Sequence, residues 1–155
     1  MGNCGKSKND CNKKRPEKCV CQDNFLASYF DELEERVDLV AEVETPVASV
    51  SVGTVASPSR FLNITGTYSA SADPVPKFVD FFIRVDSTDQ NGGSESTFTA
   101  ATLGQSGSIV RRVEVGPGVH TVSLIAVANA AGVSIDPVGR PKREHAAILV
   151  VESKT

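Results

Sequence analysis

The sequence predicts an all-β sandwich, of jelly-roll type, over residues 46–155. Three observations predict it. From Pro46 onward the chain is rich in Val, Ser, Thr, Ala, Gly and Phe, in short runs divided by turn residues. Within most runs apolar and polar side chains alternate with the period of a pleated strand. No helical pattern interrupts the runs, so the strands have only one another to pack against.

Eight strands follow in order: 47–55, 60–70, 77–86, 96–103, 108–115, 119–130, 133–136 and 144–153. Breakers stand between them, among them Ser57-Pro58-Ser59, Asn91-Gly92-Gly93 and Gly116-Pro117-Gly118. In the third strand Val79, Phe81, Ile83 and Val85 share a face, with Asp80 and Arg84 opposite. In the fifth, Ile109, Val113 and Val115 oppose Arg112 and Glu114. The sixth and last strands are apolar on both faces. Such a strand is either central in its fold or covered by another subunit. The second alternative makes Val122, Leu124, Ile148 and Val150 candidates for a trimer interface.

Ahead of the sandwich, residues 24–43 predict one short helix, capped by Asp23 or Asn24. Leu26, Phe30, Leu33, Val37 and Val40 follow the heptad spacing of a coiled-coil seam, which suits a trimeric stalk. The alternative is an amphipathic helix lying on its own domain. An isolated helix of this length is marginal in water, so either form needs a partner surface. Pro46 ends the pattern.

Residues 1–22 form a polar, Lys- and Asn-rich arm with almost no apolar side chains, a composition that predicts a flexible connector. Residues 1–21 carry six basic and two acidic side chains, a balance of +4, against −7 for the remainder. A basic arm on an acidic body suits a nucleic-acid or membrane tail, or an assembly arm that meets the acidic body of a neighbour. The start of the chain lacks the apolar core of a signal peptide, and no run of about 18 apolar residues exists to span a membrane. An extracellular, spore-surface or virion-surface location would therefore be reached without a conventional signal, as by lysis of a mother cell or phage host.

The stretch VGPGVHTVSLIAVANAAGVSID, followed by REHAAILVVES, resembles the end of compact heads of the tumour-necrosis-factor/C1q kind, which also cap bacteriophage fibres and bacterial spore-surface proteins. The likeness extends over residues 47–153 in texture and over 115–152 in detail. It implies a jelly-roll head, a preceding stalk and a homotrimer. The start MGNCGKSKNDC, with Cys19-Val20-Cys21, is similar in style to the cysteine-bearing connector arms of endospore appendage subunits, although the body differs from theirs. That likeness implies an assembly role for the arm and no particular pairing.

All four cysteines, Cys4, Cys11, Cys19 and Cys21, lie in the arm, so they do not staple the sandwich. Three readings fit them: intersubunit disulfides, a four-thiolate zinc site with poor ligand spacing, or thiols without a role. Met1-Gly2-Asn3-Cys4 resembles a dual-acylation start, with Lys6 in place of the usual hydroxyl residue. Gly5-Lys6-Ser7 lacks the upstream glycine and strand of a phosphate loop. Asn63-Ile64-Thr65 is a glycosylation sequon that matters only in a secretory pathway.

His120 and His145 each fall in a strand, and packing explains them better than metal binding. Arg111, Arg112 and Arg84 lack the interleaved aromatics of a nucleic-acid surface. No nucleophile motif or histidine cluster names a reaction, so neither an enzyme nor a cofactor is expected. The expected function is that of a structural subunit of a surface fibre or appendage. Its partners are further copies of itself, as a homotrimer and then a head-to-tail polymer, and an anchoring surface-layer protein. No nucleic acid and no membrane is expected. The alternative is a fibre tip that binds a glycan or receptor through the loops Ser87–Ser96 and Pro137–Lys142.

Overall fold

The alternating runs pair into two antiparallel sheets. A computed structural model describes residues 25–54, 60–73, 76–98, 105–136 and 145–154. They form β1 (Phe25–Glu32), β2 (Val37–Leu39), β3 (Thr45–Thr54), β4 (Arg60–Ala72), β5 (Lys77–Val85), β6 (Thr88–Asp89), β7 (Ser94–Phe98), β8 (Gln105–Val115), β9 (Gly118–Ala128), β10 (Val133–Ile135) and β11 (His145–Lys154). All eight expected strands are present, with ends shifted by a few residues; the fourth is described only as far as Phe98. Among the described residues there is no helix.

One sheet runs β1-β11-β4-β8, and the short strands β10 and β2 extend it beside the end of β4. The other runs β3-β9-β5, with β6 and β7 both along the far side of β5. The main pairs are nested in sequence. The pair β1 with β11 encloses β3 with β9, which encloses β4 with β8, which encloses β5 with β7. Nested antiparallel pairs split over two facing sheets are the topology of a jelly roll.

The core lies between the sheets. Leu62, Ile64, Tyr68, Ile148 and Val150 of the first meet Val50, Val52, Phe81, Ile83, Val122 and Leu124 of the second, all buried. The rings of Tyr68 and Phe81 stack at 3.7 Å between centroids. Gly66 leaves room for Leu124, whose Cδ1 lies 3.1 Å from where a Cβ would stand.

Two expectations are corrected. The helix and coiled-coil seam over residues 24–43 give way to β1, a turn and β2. An isolated helix here would be marginal, whereas the free edge of β11 offers a full row of unpaired backbone groups. β1 pairs with that edge from Phe25↔Ser153 to Glu32↔Ala147, with an irregularity at Leu26. The would-be seam disperses: Leu33 and Val37 pack on the core, Leu26 is half-buried, and Phe30 and Val40 are each 60% exposed. Pro46, which cannot donate to the ladder, sits at a register shift in β3.

The second correction concerns the trimer-interface candidates. Val122, Leu124, Ile148 and Val150 have no exposed surface within a single chain. β9 lies between β3 and β5, and β11 between β1 and β4, so both strands are central in their sheets; their inner faces fill the core, whereas on the outer face of β11 Leu149 stays 40% exposed. The four cysteines and the loop Pro137–Lys142 lie outside the described residues.

Candidate functional site

The strand directions give the sandwich two unlike poles. At one pole β1, β4 and β9 begin and β3, β5, β8 and β11 end. The basic arm joins here, at Phe25. At the other pole β1 ends and the chain crosses to β3 through residues 33–44. The stretch Glu32–Glu44 holds six acidic residues and one arginine, Arg36. Arg36 is held by Asp38 at 2.7 Å and by Asp136 at 3.6 Å.

A cleft of about 420 Å³ opens at this acidic pole between the end of β1 and the start of β3. Asp31, Glu32, Glu34 and Glu35 line it, with Leu33 and the segment Pro46–Ser49. Its walls are tied together. Asp31 Oδ2 accepts a hydrogen bond from the Ser49 amide at 2.7 Å, and the Leu33 amide donates to the Ala146 carbonyl at 2.8 Å. Glu32, Glu34 and Glu35 are exposed, so their charges face solvent around a small apolar floor.

At the arm pole His120 closes a polar cluster. Its Nδ1 lies 2.9 Å from Asp86 Oδ2 and its Nε2 lies 3.0 Å from the Gly116 carbonyl. Both neighbours are acceptors, so the imidazolium, with two N–H donors, satisfies both. The hydrogen bond to Asp86 holds the His120 pKa above its ordinary value and the Asp86 pKa below its own. Asp86 also accepts from the Thr121 amide at 2.9 Å, which fixes it in a left-handed turn at φ 55°. His145 is exposed at the opposite end of the fold, so the two histidines do not meet.

Arg112 projects outward over the Phe61 ring at 3.9 Å, whereas Arg111, the next residue on β8, points to the other face of that sheet. Arg84 belongs to the second sheet and is held by Asp89 at 2.5 Å and Glu44 at 2.9 Å. The three arginines therefore form no common patch. Among the described residues no cluster of three His, Cys, Asp or Glu side chains could hold a metal ion.

The outer face of the first sheet carries a row that single-strand patterns did not reveal. Phe30, Leu149, Thr65 and Val110 are successive cross-strand neighbours. Phe30, Leu149 and Val110 are 60%, 40% and 64% exposed. Only the register joins them; in sequence they lie on three distant strands.

These features define a jelly-roll β-sandwich whose first strand begins at one pole and whose acidic cleft opens at the other. No protein-family model and no curated protein matches the chain. Among solved structures it is similar to a family 35 carbohydrate-binding module from Clostridium thermocellum, at a TM-score of 0.37 and 14% identity, over 79% of this chain and 98% of that one. It is also similar to a chain of infectious bursal disease virus Gx strain, at a TM-score of 0.45 and 12% identity, over 83% of this chain and 36% of that one. A third likeness is to the CBM36-1 domain of a multidomain xylanase from the hindgut metagenome of Trinervitermes trinervoides, at a TM-score of 0.35 and 9% identity, over 83% and 98%. The chain thus spans about a third of the viral chain. At such scores the likenesses carry no argument, and the fold assignment rests on the strand pairing.

Proposed function

We propose that the protein is a structural subunit that polymerises head to tail, the basic cysteine-bearing arm of one copy seating in the acidic cleft of the next. The observation that carries this reading is the polarity of the head. β1 separates the arm junction from the cleft by eight residues, about 26 Å at ~3.3 Å per residue. The 22 residues of the arm reach at most ~75 Å. Donor and acceptor surfaces at opposite ends make a heterologous contact, which propagates as a filament unless its rotation closes a ring. Arm cysteines next to the contact would make it covalent under oxidising conditions. A spore or virion surface, reached by lysis, is the setting we assign. Any lateral association into trimers would use the exposed row Phe30–Leu149–Val110, because the residues expected at such an interface are inside the head.

Sedimentation and negative-stain microscopy test the reading on the full chain, on a chain lacking residues 1–22, and on the charge reversal Glu34→Lys/Glu35→Lys. Only the first should form polymers, and under reductant these should dissociate as salt rises. A full chain that stays monomeric with and without reductant would overturn the proposal. So would polymers that persist after either change.

A further inference from the structure

A second groove, of about 550 Å³, lies on the outer face of the other sheet. We propose that it is a binding site for a neutral sugar chain, separate from the assembly surfaces. Its volume falls within the ~300–1,000 Å³ of small-molecule sites. The floor is the outward face of β5 and β9, with Phe82, Asp80 and Val127. The wall is the segment Asp89–Gly93, which bulges from the sheet edge between β6 and β7.

The wall is built to hold its shape. The Gln90 amide donates to the Ile83 carbonyl at 2.8 Å, and the Gln90 side-chain amide donates to the Thr88 carbonyl at 3.0 Å. Gly92 has φ 86°, and a Cβ there would stand 2.6 Å from Arg111 Nη2. A Cβ on Gly93 would stand 2.9 Å from the Phe81 carbonyl oxygen. Both glycines thus let the wall press close against the sandwich, and a preformed wall lowers the ordering cost of binding.

The chemistry of the lining selects the ligand. The side-chain amide of Asn91 is exposed and makes no hydrogen bond among the described residues. The Gln90 side-chain carbonyl keeps its acceptor capacity, since the bond to the Thr88 carbonyl is donated by the side-chain nitrogen. Asp80 and Asp89 add carboxylates, and Arg84 is already engaged by Asp89 and Glu44. Phosphate, nucleic acid and acidic polysaccharide are therefore disfavoured. A neutral sugar matches: its hydroxyls donate to the remaining lone pairs of the Asp89 carboxylate and accept from the Asn91 amide, and its apolar face lies against the half-buried Phe82 ring, beside the Arg84 guanidinium 5.4 Å from the ring centroid.

Calorimetric titration of the full chain with cellotetraose, xylotetraose and chitotetraose tests this, with a hyaluronan tetrasaccharide as the anionic comparison. At least one neutral tetrasaccharide should bind at millimolar concentration or tighter, and the anionic one should not. Asn91→Ala, at an exposed loop position, should weaken that binding about tenfold with an unchanged denaturation midpoint. Phe82→Leu, which keeps an apolar side chain but removes the ring, should weaken it as well. Absence of binding by all three neutral probes overturns the proposal. Equal binding of the anionic probe, or binding that Asn91→Ala leaves intact, overturns it too. None of these readouts depends on polymerisation, so the assembly reading stands or falls separately.

Discussion

Arg60 and Glu152 place opposite charges inside the sandwich near the arm pole, Nε to Oε1 at 3.6 Å, with both side chains almost wholly buried. Removing one partner strands the other in a low-dielectric site. Glu152→Ala should therefore cost about 3–5 kcal/mol, and Arg60→Met/Glu152→Leu should recover most of it, as read by urea denaturation. His120 carries a pH dependence of defined sign. Its folded pKa is raised above the ordinary 6.5, so its bond to Asp86 stabilises fully below about pH 6.5 and is lost as pH rises through the folded value. Asp86, lowered from 3.8, sets the acid limit: its share is present above that value and is lost as pH falls through the folded pKa. Denaturation midpoints should thus fall as pH rises from about 6.5 through the folded His120 value, and Asp86→Asn should flatten that slope. A histidine in a strand was legible in the sequence. Its partner was not, because Asp86 lies 34 residues away and meets it only across a completed sheet.

At the scale of elements, β1 is the instructive case. Its residues carry a helical stripe, and only tertiary pairing with β11 turns them into a strand. The eight expected strands were readable because most alternate with period two and turn residues bound them all. β2, β6 and the residue-by-residue partners were not: two or three residues hold no period, the equally short β10 was marked only by the breakers Gly132 and Pro137 on either side, and register is a non-local choice. The strands apolar on both faces were recognised as such, but one chain cannot say whether a neighbour or its own sheet covers them. β1 also links the two sheets, through Asp31 to the Ser49 amide and through the Tyr29 hydroxyl, which donates to the Gly53 carbonyl at 3.3 Å. Asp31→Ala leaves the Ser49 donor without that acceptor and should cost about 1–2 kcal/mol in chemical denaturation. Hydrogen exchange should show the loss concentrated in β1 and the start of β3.

For the whole molecule, the two poles matter more than any single group. A body that is acidic at one end and continues into a basic, cysteine-bearing segment at the other has a direction, and a directional unit can add to its own kind without limit. The nested pairing also imposes an order in time. β5 with β7 closes a short loop, whereas β1 with β11 joins positions more than a hundred residues apart, as at Phe25↔Ser153. Loop-closure entropy makes the inner pair the early event in folding and the outer pair the late one. Pulse-labelling during refolding should find the amides of β5 protected before those of β1; the reverse order would refute this. The strand that bears the linking segment is then the last to dock. On the proposed assembly reading, a newly made chain would complete its head before presenting a correctly placed link, and construction of the polymer would wait on the maturity of each unit.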